Sequence, residues 1–189
     1  MRRLLPIAVA LLAPLPALAH PGGDHVHGFA TGFLHPLTGV DHLVAMVAIG
    51  LWAGMLGGRL SWLLPLGFLG GMAAGGVLGL AGVGMPGVEA GILASLVVLG
   101  ALVGAAGRLP AALALPMAAA FGLLHGHAHG TEAMGGAFGY EAGFLIATAF
   151  LHGAGLLLAV GAAQGSGRVA LRVAGGSAAM LVAGIALVS

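Results

Sequence analysis

Cysteine is absent from the 189 residues, lysine is absent too, and only 6% of positions carry a formal charge. The first absence excludes disulfides, thiolate metal sites and redox cysteines. The second, with a net charge of +1, leaves no basic surface for nucleic acid. No nucleotide-binding motif is present either, which argues against an ATPase. What remains is apolar. Hydrophobic residues make up 60% of the chain and mean hydropathy is +1.12, against roughly 45–50% apolar usage in soluble domains. The chain reads as an integral membrane protein. Nine histidines outnumber both the five acids and the six arginines, and imidazole in such excess points to metal or proton chemistry.

The first 19 residues have the layout of a secretory signal: Arg2 and Arg3, an apolar stretch from Leu4 to Leu15, then Ala17-Leu18-Ala19 as a small-x-small cleavage site. An uncleaved first helix is the alternative, which Pro6, Pro14 and Pro16 disfavour. Residues 20–30 follow as a His-rich leader, and 31–189 as the transmembrane domain. About 20 apolar residues cross a bilayer. Six such spans fit: Thr31–Met55, Leu60–Ala81, Val88–Ala106, Pro110–His125, Ala137–Ala163 and Val169–Val188. The expected fold is therefore all-α, a six-helix bundle with short loops. Arg59, Arg108, Arg168 and Arg172 all fall at connectors on one side, which the positive-inside rule makes cytoplasmic. The expected location is the bacterial inner membrane with both mature termini periplasmic, and with Trp52 and Trp62 as interfacial anchors. Gly67, Gly71, Gly75 and Gly79 recur every fourth residue down the second span, a face along which another backbone can approach closely.

Ionisable groups inside such a chain are costly and so informative. His35 and His42 lie seven residues apart, two turns of one helix, with Asp41 beside them. His125 and His129 are four apart and Glu132 is seven from His125, so a continuing helix puts all three on one face and His127 elsewhere. Gly126 and Gly130 leave open a break of that helix, the ligands then converging through a turn. Imidazoles with carboxylates suit nickel, cobalt, zinc or copper rather than magnesium or calcium. The topology brings both clusters to the outer half, as two parts of an entrance site. His20, His25 and His27 of the leader fit a metal-collecting tail. Met46, His127, Glu141 and His152 are secondary candidates. Packing is the competing explanation for Met46, and a hydrogen bond to a neighbouring helix the competing one for His152.

At these residues the chain resembles the HupE/UreJ family of small nickel/cobalt transporters. One signature, His-Pro-x-x-Gly-x-Asp-His followed by Ala-Met, matches His35, Pro36, Gly39, Asp41, His42, Ala45 and Met46. The other, His-Gly-x-Ala-His-Gly-x-Glu, matches His125, Gly126, Ala128, His129, Gly130 and Glu132. The resemblance implies secondary nickel uptake for hydrogenase or urease maturation, with the six ligand-type residues of the two motifs important for transport. It implies no catalytic cofactor; Ni2+ or Co2+ is cargo. The bilayer surrounds the chain, and further copies of it or metalloenzyme maturation proteins are conceivable partners. On residue spacing alone, an intramembrane zinc hydrolase or a metal-binding receptor or chaperone uses the same set. The first and fourth spans, both carrying His before an acid, run in opposite directions, which suggests comparing spans one to three with four to six as inverted halves.

Overall fold

A computed structural model describes residues 28–132, 137–162 and 165–186. The expected signal segment and the leader histidines His20, His25 and His27 lie outside these residues. Among the described residues all regular structure is helical. Seven helices follow one another: α1 Phe29–Thr38, α2 Val40–Leu56, α3 Leu60–Leu80, α4 Val88–Ala105, α5 Ala111–Glu132, α6 Ala137–Gly161 and α7 Gly165–Ala186. Four of them, α3 to α6, are long and apolar enough to cross a membrane, or five spans if α1 and α2 together make one. Helix α7 has the length for a sixth, but Arg168, Arg172 and its glycines and serines leave it less apolar than the others.

The first expected span needs correction. Thr31–Met55 is not one helix but two, α1 and α2, meeting at 83°. The break falls at Gly39, whose backbone is extended (φ −82°, ψ 111°) while its N–H still bonds the His35 carbonyl. Thr38 contributes by folding its hydroxyl onto the same carbonyl at 3.0 Å. A Cβ at position 39 would lie 3.1 Å from Nδ1 of His42 and 3.3 Å from the Asp41 carboxylate, so a larger residue would shift the side chains that the corner holds. The other boundaries differ by a few residues, save that α5 runs on through Gly126 and Gly130 to Glu132.

Packing follows the glycines. Helices α3 and α5 pack most extensively, and along their seam Gly71, Gly75 and Gly79 of α3 face the backbone of Ala119, Leu123 and His127. In return, Gly122, Gly126 and Gly130 of α5 face the backbone of Phe68, Met72 and Gly76. Added Cβ atoms there would collide with main chain, which has no means of yielding. Gly67, the first of the expected stripe, meets Leu115 only at ordinary contact distance. Helix α2 meets α6 in the same way through Gly50 and Gly155, and α4 meets α7 through Gly100, Gly104 and Gly176. Without a hydrophobic drive between helices in lipid, close backbone approach and the dispersion it brings are what hold such a bundle.

Trp52 is not an interfacial anchor. It is fully buried in the main core cluster with Phe68, Leu99 and Phe144, and its indole N–H donates to the Gly107 carbonyl at 2.8 Å. Trp62 is half exposed, as an anchor would be. The arginines collect at the end of the bundle away from the histidine motifs, where Arg108, Arg168 and Arg172 line one cavity.

Candidate metal site

The corner at Gly39 decides how the first motif works. His35 and His42 do not share a helix face; His35 comes from α1 and His42 from α2. The 83° bend nevertheless turns their rings toward each other, with centroids 5.8 Å apart. Asp41, in the first turn of α2, accepts a hydrogen bond from Nδ1 of His42 at 2.9 Å.

The second motif arrives on α5. Because the helix does not break, His125 and His129 stand one turn apart on a face next to the glycine ridge. Each His-Gly pair divides the labour, the glycine closing on α3 and the imidazole turning into the bundle. His129 lies 4.6 Å from His35 and 4.5 Å from His42, ring to ring, and His125 lies 5.5 Å from His42. Four imidazoles from three helices therefore form one cluster. Glu132 reaches it from the last turn of α5, its carboxylate 3.5 Å from Nδ1 of His129.

The ring nitrogens differ in how they are satisfied. Nδ1 of His125 donates to the Phe121 carbonyl at 2.9 Å, which fixes the tautomer and leaves Nε2 as a lone-pair donor. Asp41 does the same for His42. Among the described residues, Nε2 of His42, His125 and His129 is buried without a hydrogen-bond partner, and Nδ1 of His129 has only its 3.5 Å contact with the Glu132 carboxylate. Unpaired buried nitrogen is costly, on the order of 1–3 kcal/mol per group. An imidazole held through one nitrogen by a carbonyl or carboxylate, with the other bare, is the arrangement of metal-binding histidines. Ligand atoms of His35, His129 and Glu132 already lie within 4.8 Å of one another. Ligands about 2.1 Å from one ion stand roughly 3–4 Å apart, so a modest contraction or a bridging water completes the shell. The carboxylates sit at the wetter edge, with side chains 40% exposed at Asp41 and 64% at Glu132.

The secondary candidates separate. His127 points away from the cluster, as its spacing predicts, and its Nε2 donates to the Val83 carbonyl at 2.6 Å, tying α5 to the α3–α4 loop. Met46 is fully buried in the core, and its carbonyl accepts from Nδ1 of His152 at 2.8 Å. Glu141 is buried against Gly76 with one carboxylate oxygen unpartnered among the described residues. Glu89 is exposed in the first turn of α4.

Three aromatic residues complete the site and carry no motif of their own. Phe144 lies 4.3 Å from the His129 ring and 5.9 Å from His35, and Tyr140, one turn earlier on α6, stacks on Phe144 and touches His35. Phe68 of α3 closes the floor under His125 at 5.5 Å. The i, i+4 spacing of Tyr140 and Phe144 was the one available signal, and ordinary packing produces that spacing as well.

A family model described as HupE / UreJ protein matches residues 7–187. Protein HupE of Rhizobium leguminosarum bv. viciae is 44% identical over 176 residues, covering 92% of this chain and 91% of that one. No solved structure matches the chain.

Proposed function

The chain belongs to the HupE / UreJ family of membrane transporters, and on that premise we propose that it is a secondary transporter taking up nickel, or cobalt, across the inner membrane. Family membership displaces the hydrolase alternative. One observation carries the proposal: four imidazoles converge at one end of the bundle with bare nitrogens between them and two carboxylates at the rim.

In this reading the arginine end of the bundle is cytoplasmic and the histidine end periplasmic. His35, Asp41, His42, His125, His129 and Glu132 make the entrance site. Asp41 and Glu132 offset the dication, which would otherwise lose its hydration shell at a prohibitive cost. The imidazoles supply borderline nitrogen donors that favour Ni2+ and Co2+ over Mg2+ and Ca2+. The leader histidines His20, His25 and His27 raise local metal concentration after signal cleavage. The metal delivered serves maturation of a hydrogenase or urease.

Uptake of radioactive nickel into proteoliposomes tests this. The parent protein accumulates nickel above empty vesicles, and Asp41→Asn and Glu132→Gln lower the rate. Binding without accumulation by the parent would favour the receptor or chaperone reading.

A further inference from the structure

His152 stands apart from the entrance cluster and is built like its members. It is almost fully buried in the second half of α6, two turns beyond Phe144 and so about 12 Å further along the helix axis. Its Nδ1 donates to the Met46 carbonyl at 2.8 Å, and its Nε2 is buried with no partner among the described residues. A histidine serving only to tie two helices together needs one nitrogen. Leaving the second bare at this depth is a cost that packing does not explain.

Its position in the fold is a second, independent pointer. Gly50 of α2 abuts the backbone of His152, and Gly155 abuts that of Val47; in the same register, Gly126 of α5 abuts Met72 of α3, and Gly75 abuts Leu123. Exchanging α2 with α5 and α3 with α6 thus maps one helix pair onto the other. The α4–α7 pair, meeting through Gly100 and Gly176, maps onto itself. Buried positions obey the same exchange: Leu64, Phe68, Met72 and Gly75 of α3 correspond to Phe144, Thr148, His152 and Gly155 of α6. The exchanged helices run in opposite directions, so the halves are inverted repeats. His152 and Met72 are then equivalent residues on either side of the pseudo-two-fold axis, where inverted-repeat transporters place their ions. Thr148, one turn from His152 on the same face, reaches the Met72 sulfur at 4.0 Å.

Between this position and the entrance stands Phe68. Its ring lies 5.5 Å from His125 on one side and 5.2 Å from His152 on the other. We infer that His152 is a second, inner metal station at the interface of two inverted halves, receiving the ion from the entrance cluster once it has passed Phe68. The inference rests on the transport reading above. One imidazole, with a thioether and a hydroxyl nearby and water filling the remaining positions, holds Ni2+ or Co2+ weakly, which suits a station that must release.

The test pairs nickel binding by the purified, detergent-solubilised protein with initial rates of nickel uptake into proteoliposomes. His152→Asn places an amide donor where Nδ1 was, so the tie to Met46 persists while the Nε2 ligand is lost. Its maximal uptake rate should fall at least about tenfold, with the half-saturating nickel concentration and entrance-site binding changed less than about twofold. His152→Gln, which keeps a polar atom near the Nε2 position, should recover part of the rate. Parent-like uptake by His152→Asn overturns the inner station. So does an equal loss of binding and uptake, the mark of a residue that merely holds the fold. Failure of the transport reading itself is seen separately, in a parent protein that binds nickel and accumulates none.

Discussion

The imidazoles of His42 and His129 lie 4.5 Å apart, ring to ring, although one opens α2 and the other closes α5. The two helices belong to different packed pairs, α2 against α6 and α5 against α3. The α3–α5 and α2–α6 glycine seams already hold both helices in one bundle, so a dication bound between the rings would tighten that end of it rather than join separate parts.

Asp41 has two roles that substitution separates. In Asp41→Asn the amide oxygen still accepts from Nδ1 of His42, so ring orientation survives and only the charge is lost. Nickel affinity should fall roughly 10–100-fold, whereas Asp41→Ala, which also frees the tautomer, should fall further. Equilibrium dialysis of the two variants against the parent measures the difference.

Protons and metal compete for the bare nitrogens. Protonating a ligand imidazole removes its lone pair and adds a positive charge, so nickel binding should weaken once the pH is low enough to protonate the empty site, and binding there should release protons. Calorimetry in buffers of different ionisation enthalpy reads that release. A Kd that stays constant down to the pH at which the empty site takes up protons would show that the imidazoles are not the ligands.

His127 and His129 are near neighbours in sequence with opposite expected behaviour. His127→Ala removes the bond to the Val83 carbonyl and should cost about 1 kcal/mol of stability while leaving nickel affinity near that of the parent. His129→Ala should do the reverse, weakening nickel binding with little loss of thermal stability. Melting curves with and without nickel report both effects.

Gly70 and Gly71 make a sharper pair. A Cβ at Gly71 collides with the Ala119 backbone, whereas nothing lies within 4 Å of one at Gly70. Gly71→Ala should destabilise by about 1–3 kcal/mol through overpacking. Gly70→Ala should be neutral or gain up to about 1 kcal/mol of helix propensity. Detergent-solubilised thermal unfolding distinguishes them.

Composition and spacing determine a good deal here. An apolar chain without cysteine or lysine, with nine histidines, is committed to membrane helices and to nitrogen-and-oxygen metal chemistry. Helical periodicity places His125, His129 and Glu132 together and sets His127 aside, because four-residue steps return to one face and two-residue steps do not. The glycine stripe of α3 is legible for the same reason. Tertiary structure alone decides the remainder. The periodicity that works for α5 misleads at His35 and His42, since a single extended glycine replaces one helix by two, and their rings meet only because of the bend. Trp52 looks like an anchor until its indole is found bonded inside the core. The bare nitrogen of His152 and the place of Phe68 between the His125 and His152 rings have no signature in one dimension, and the i, i+4 spacing of Tyr140 and Phe144 does not say what they face. Each depends on which backbone lies opposite, and that is set by glycine contacts between helices far apart in the chain.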